Sequence, residues 1–250
     1  MKLTISGLTK KYGENIVLDK VDLKCTGGTV YCLLGRNGAG KSTLINLLSD
    51  LIEATSGDIY INDHNYKESE ILIKKQTGLL SQYDQLIHEL NASDYLHWIG
   101  LLYGLHKETI AIQSSNLLNF FFDSHEDLSL PCSNYSSGMK KKLAVCAAVL
   151  HKPNFLLLDE PFANLDPLAS SKLCEFLNAY KNCSRVIVVS SHDLLYVDKI
   201  ATHIGVLSGS QLVYDDTISA FKNNTGSINE ELLKYLKQKE GTSLLLNTLI

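Results

Sequence analysis

The chain has 250 residues, 45% of them hydrophobic and 20% charged, with a formal net charge of −4. That size and balance suit one large α/β domain with a full core in water; they exclude a disordered chain and a membrane-embedded body, and the weak negative charge offers nucleic acid no general attraction. The start, "MKLTISGLTKKYG", lacks the apolar centre of a signal peptide, and no run reaches the roughly 18 apolar residues of a membrane span, so a cytosolic chain is expected.

In chain order, "TVYCLLG" reads as a strand ending in a glycine loop, "KSTLINLLSDL" as a helix and "GDIYIND" as the next strand. A helix-rich stretch follows from about residue 84 to 150, with "NASDYLHWIGLLYGL" and "GMKKKLAVCAAVL" as its clearest pieces, and it reads as an insertion. Strands return with "FLLLDE" and "RVIVVSS", apolar on successive residues as in a parallel sheet covered on both faces. The helical run "LASSKLCEFLNAYKN" between them makes a βαβ unit. Near the end, "SINEELLKYLKQKE" has a capping-box start at Ser227 and Glu230 and a short apolar stripe, so it is expected to pack on the body as a helix. The last residues, "LLLNTLI", fit a docked or a disordered tail equally. The six cysteines form no C-x-x-C pair and read as small buried hydrophobes.

Two motifs carry chemistry. "GRNGAGKST" comprises Gly35, Arg36, Asn37, Gly38, Ala39, Gly40, Lys41, Ser42 and Thr43 and satisfies G-x-x-x-x-G-K-[ST] between a strand and a helix. Its glycines let successive N–H groups turn inward as an anion nest, and the helix amino terminus adds a favourable dipole, so the loop is expected to hold the phosphates of a nucleotide. Lys41 would reach the β- and γ-phosphates, and the Ser42 hydroxyl would hold Mg²⁺. In "FLLLDEP", four apolar residues set Asp159 at the carboxyl end of a buried strand, where it can assist the Mg²⁺ shell. Glu160, aimed differently, can polarise a water against the γ-phosphate.

With these motifs in this order, the sequence resembles a nucleotide-binding domain of the ABC (ATP-binding cassette) family over about residues 1–222. The resemblance implies an α/β fold, a P-loop NTPase core with a RecA-like parallel sheet and an N-terminal antiparallel β part. A helical subdomain (84–150) would be inserted between core parts 1–83 and 151–222, with 223–250 as a C-terminal helix and tail. It also implies roles for single residues. Tyr12 in "KKYG" matches the aromatic that stacks on adenine, and Gln82 in "GLLSQYD" the glutamine that contacts Mg²⁺ and water. Asp166 in "ANLD" matches a loop that crosses between two subunits, and His192 in "VVSSHD" a histidine that senses γ-phosphate.

In "SNYSSGMKKKL", Tyr135 to Met139 align with the family's signature loop, usually L-S-G-G-Q. Ser136, Ser137 and Gly138 would then bind the γ-phosphate of ATP held by a facing subunit. Three positions depart from the usual form: Tyr135 for leucine, Ser137 for the first glycine and Met139 for glutamine. A serine at 137 is compatible only with a backbone that needs neither a positive φ nor a very close phosphate approach there. The Y-S-x-G-M form resembles exporter-type cassettes. Lys140 to Lys142 are expected to be the solvated side of the signature helix rather than a nucleic-acid patch.

The resemblance thus implies an Mg²⁺-dependent ATPase, peripheral on the cytoplasmic face of a membrane. It would pair with a second ATP-binding subunit and drive separate transmembrane permease subunits, in the direction of export, with no nucleic-acid partner. An ATPase that moves a membrane partner without transport, or a soluble non-transport ABC ATPase, are the alternatives. A P-loop GTPase or kinase is disfavoured by the combination of Gln82, the Ser136–Gly138 loop and His192.

Overall fold

The computed structural model describes residues 1–82, 86–222 and 226–237. Two sheets form the frame. In the first, β1 (Lys2–Tyr12) lies between β2 (Asn15–Thr26) and β4 (Ser56–Ile61), antiparallel to both. Leu3 and Ile5 of β1 point into the core by simple alternation. The pairing shifts between Ile5 and Leu8, around Gly7 at φ 56°, and this bulge turns Leu8 inward as well. The residues of β4 read as the continuation of the strand–loop–helix unit, yet β4 leaves that unit's sheet and pairs with β1 instead.

The second sheet has the order β5 (Thr77–Leu80), β6 (Phe155–Asp159), β7 (Val186–Ser190), β3 (Thr29–Gly35), β8 (His203–Ser208), β9 (Gln211–Thr217). The first five strands are parallel, and β9 closes the edge antiparallel to β8. Both faces of its centre are covered, as the continuous apolar runs require. Tyr31 and Leu33 of β3, with Phe155, Leu157, Val186 and Val188, pack against helix α1 (Lys41–Leu48) and the antiparallel sheet. The alternate residues Val30, Cys32, Leu34, Leu156, Leu158, Ile187 and Val189 share the opposite core. That core is completed by α5 (Ser137–Val149), α6 (Pro167–Tyr180) and α7 (Leu194–Ile200).

Helix α2 (Tyr66–Gln76) precedes β5, and α3 (Ala92–Leu102), α4 (Lys107–Phe121) and α5 lie between β5 and β6. Asn91 starts α3 by accepting from the Asp94 amide, and Ser136 starts α5 by accepting from the Met139 amide. Two short helices, α8 (Ile218–Lys222) and α9 (Ile228–Lys237), follow β9. Helix α9 docks through buried Ile228 and through Tyr235, whose ring lies 5.2 Å from Tyr214 and 5.9 Å from Phe221. The last residues of the expected C-terminal helix, and "LLLNTLI" after them, lie outside the described residues.

Candidate active site

Strand β3 delivers the glycine-rich loop, and α1 begins at its end. Gly40 is the N-cap of α1, left-handed at φ 102°, and a Cβ there would stand 2.9 Å from Leu18 Cδ2 and 3.0 Å from the Val17 carbonyl. Only glycine fits that close approach to β2. Because this N-cap has no side chain, the first N–H groups of α1 keep no side-chain partner and form a ready anion site. Lys41 is 5% exposed, and its Nζ donates to the carbonyls of Gly35 at 3.0 Å and Arg36 at 3.3 Å. Burial lowers its pKa, while the negative charges of Glu160 and Asp159 work against that shift. Ser42, the next residue, is half-buried.

The neighbouring strand ends bring the acids. Asp159 ends β6, 2% exposed, and its Oδ1 accepts from the Ser190 hydroxyl at 2.5 Å. Glu160 follows with φ 48°, a left-handed turn that a non-glycine residue adopts at a cost of about 1 kcal/mol. The turn is held by its N–H, which donates to the Ser190 Oγ at 3.0 Å and carbonyl at 3.2 Å. It aims the carboxylate so that Oε1 lies 3.9 Å from Lys41 Nζ and Oε2 lies 2.8 Å from His192 Nδ1. The His192 backbone N–H also donates to Oε2, at 3.3 Å. Facing a carboxylate, Nδ1 carries the ring proton and donates it. Lys41, Asp159, Glu160 and His192 therefore form one cluster over the carboxyl ends of β3, β6 and β7. The two carboxylates, with the Ser42 hydroxyl next in sequence to Lys41, offer the oxygen ligands that a hard divalent cation on a triphosphate prefers.

The other expected residues stand around this cluster. Gln82 is exposed just past β5, where Leu80 pairs with Leu158 beside the acids. It borders a cavity of about 380 Å³ whose walls include Tyr95, Tyr103, Ser137, Lys141 and Asn164. Tyr12 is 52% exposed at the turn between β1 and β2, with Lys10 Nζ 4.8 Å above its ring. Asp166 caps α6 by accepting from the amides of Leu168 at 2.8 Å and Ala169 at 2.9 Å. Ser136 is exposed, and Ser137 takes up the helix as its first residue without a positive φ. A Cβ on Gly138 would stand 3.1 Å from the Asn164 carbonyl, so the loop around Ser136 abuts the loop around Asp166 in one chain.

The expectation for Lys140 to Lys142 is corrected. Lys142 is 5% exposed and pairs with Glu126, Nζ lying 2.5 and 2.6 Å from its two oxygens, with the Phe122 ring 4.6 Å away. Lys141 is half-buried, its pKa lowered by burial and pulled back by Asp159 and Glu160. Successive helix positions turn by about 100°, so three in a row cannot all face solvent on a helix packed into the core. Ser190 escaped the sequence reading, and Tyr135 entered it only as a departure from leucine. Ser190 holds both acids, and only the paired serines of "VVSSHD" hinted at it. Tyr135 turns inward, 5% exposed, and nothing local in the sequence names its partners.

A glycine-rich loop between a central parallel strand and a helix, with its lysine facing an acid pair on a neighbouring strand end, defines a P-loop nucleoside triphosphatase. The model of the family described as ABC transporter matches residues 18–163. The bacitracin transport ATP-binding protein BcrA of Enterococcus faecalis is 33% identical over 214 residues, 85% of this chain and 68% of that protein. The daunorubicin resistance ATP-binding protein DrrA3 of Streptomyces coeruleorubidus is 30% identical over 224 residues, 90% of this chain and 71% of its own. A solved ATP-binding subunit of an ABC transporter superposes with a TM-score of 0.86 at 28% identity, covering 94% of this chain and 99% of that one. The chain belongs to the ABC transporter family, as an ATP-binding cassette. No helix among the described residues is long and apolar enough to cross a membrane.

Proposed function

We propose that this chain is the ATPase subunit of an exporter, acting at the cytoplasmic face of a membrane as one of two facing cassettes that drive separate permease subunits. The observation that carries the reading is the cluster of Lys41, Asp159, Glu160 and His192 beside the anion nest. The names of the relatives, one for bacitracin transport and one for daunorubicin resistance, support export.

In this reading the N–H groups from Gly35 to Thr43 bind the phosphates, Lys41 turns from the loop carbonyls to the β- and γ-phosphates, and Tyr12 stacks on adenine. Ser42, Asp159 and Gln82 would hold Mg²⁺, partly through water, where it would neutralise charge on the phosphates. Glu160 takes a proton from the attacking water as its oxygen bonds to the γ-phosphorus. The bond from that phosphorus to the β–γ bridging oxygen breaks, and ADP leaves with its electrons. His192 holds the Glu160 carboxylate in line and reports the γ-phosphate. Ser136, Ser137 and Gly138 complete the site of the facing cassette, and Asp166 lies on the loop between the two.

The test is Glu160→Gln with saturating ATP and Mg²⁺. It is expected to form a stable dimer by light scattering and to bring a multi-span protein from detergent-solubilised native membranes at equal stoichiometry. A variant that stays monomeric even with its membrane partner present, or that recovers only soluble proteins, would overturn the reading.

A further inference from the structure

The residue that replaces leucine at the head of the signature loop makes a connection that leucine cannot. Tyr135 has an extended backbone (φ −75°, ψ 143°), and so has Ser136 (φ −61°, ψ 161°). Successive side chains in extended chain point to opposite sides, so the tyrosine ring is buried while Ser136 stands in solvent. The Tyr135 hydroxyl accepts from the backbone N–H of Ala92 at 3.1 Å and donates to the Leu128 carbonyl at 2.9 Å.

Ala92 is the first residue of α3, and its N–H is one that no turn of that helix can satisfy. Asn91 spends its own side chain on Asp94, accepting from the Asp94 amide at 2.9 Å and donating to its carboxylate at 2.8 Å. One phenol oxygen therefore joins the start of α3, the segment leading into the 3-10 turn Cys132–Asn134, and the loop that carries Ser136. The same helix α3 presents Trp98 (43% exposed), Leu101 (47%) and Leu102 (64%) outward.

We propose that Tyr135 is a positioning residue: its hydroxyl fixes the signature serine relative to helix α3, so that movement of α3 and engagement of the facing cassette's ATP are linked. This rests on the reading that Ser136 and Gly138 complete a facing site. The hydroxyl touches no nucleotide and acts only through the placement of Ser136. Removing it leaves the phosphate loop of the same chain untouched, and so separates binding of ATP by one cassette from closure of two.

The experiment compares Glu160→Gln with the double variant Glu160→Gln/Tyr135→Phe, which keeps the ring and deletes the oxygen. Nucleotide affinity of the monomer is expected to stay unchanged, while the ATP-driven dimer dissociates about tenfold more readily, the weight of one good hydrogen bond. In the Glu160 background, Tyr135→Phe should lower kcat with little change in KM. Ala92→Pro, at a first helical position where proline is tolerated, removes the donor and sets its ring against the Tyr135 oxygen, displacing it from the other side, and it should weaken the dimer at least as much. If either variant binds ATP normally and dimerises as well as its parent, the proposal is wrong. If the parent Glu160→Gln never dimerises, the facing-site reading fails instead.

Discussion

Glu160 touches a lysine, a histidine ring and a backbone amide at once, so its removal and the removal of Lys41 should have separable effects. Lys41→Ala loses the cation of the phosphate loop, and the expected outcome by equilibrium titration is loss of ATP binding. Glu160→Gln and His192→Ala should still bind ATP and turn over at least about thirtyfold more slowly, as suits groups worth roughly 2 to 5 kcal/mol in the transition state. Full turnover by Glu160→Gln would remove it from the role of base. A second prediction concerns His151, whose ring stacks on Tyr103 (centroids 3.6 Å apart, planes at 8°) with Nε2 3.1 Å from the Thr77 carbonyl. Its Nδ1 is buried without a hydrogen bond, and burial pushes its pKa down to about 4. The folded state thus keeps it neutral while the unfolded chain takes up a proton below about pH 6.5. Stability from this site is full above that pH and is lost as pH falls towards 4, by about 3 kcal/mol at most. His151→Gln should flatten that part of the stability curve in denaturant titrations at pH 4 to 7; an unchanged slope would show that His151 does not set it.

At the scale of elements, caps and buried pairs decide how well the helices are held. Asp166 supplies two bonds to the start of α6, so Asp166→Ala should cost about 1 kcal/mol and lower the melting temperature by a few degrees. Asp166→Asn should keep most of that stability, and any loss of pairing it still shows would support the inter-subunit role proposed for it. The pair of Lys142 and Glu126 ties α5 to the irregular segment after α4, and Lys172 ties Asp123 of that segment to α6 at 2.8 Å. Lys142→Met alone leaves a mostly buried carboxylate unpaired and should destabilise by about 3 kcal/mol; Lys142→Met with Glu126→Leu should recover most of it. Calorimetry of both variants checks this, and equal losses would deny the pairing. Such pairs mark the limit of legibility. The phosphate loop was readable because each residue type is demanded by chemistry at a fixed spacing, and β6 and β7 because their unbroken apolar runs admit little else. Glu126 lies in a stretch with no periodicity, and the two partners of the Tyr135 hydroxyl lie in separate segments. The alternation of Ile59 and Ile61 in β4 says that it is a strand, not which sheet it joins.

Across the whole molecule, the active cluster depends on strands far apart in the chain. β3, which carries the nucleotide loop, has no neighbour of its own segment: it pairs with β7 from Thr29 to Val186 and with β8 from Tyr31 to His203. A chain emerging from the ribosome therefore exposes the apolar β3 unpaired through most of synthesis, since both of its neighbours follow residue 185. A nascent fragment ending before Val186 should neither bind ATP nor stay soluble unaided. In the cell, competence to bind ATP should therefore appear only after synthesis has passed β8.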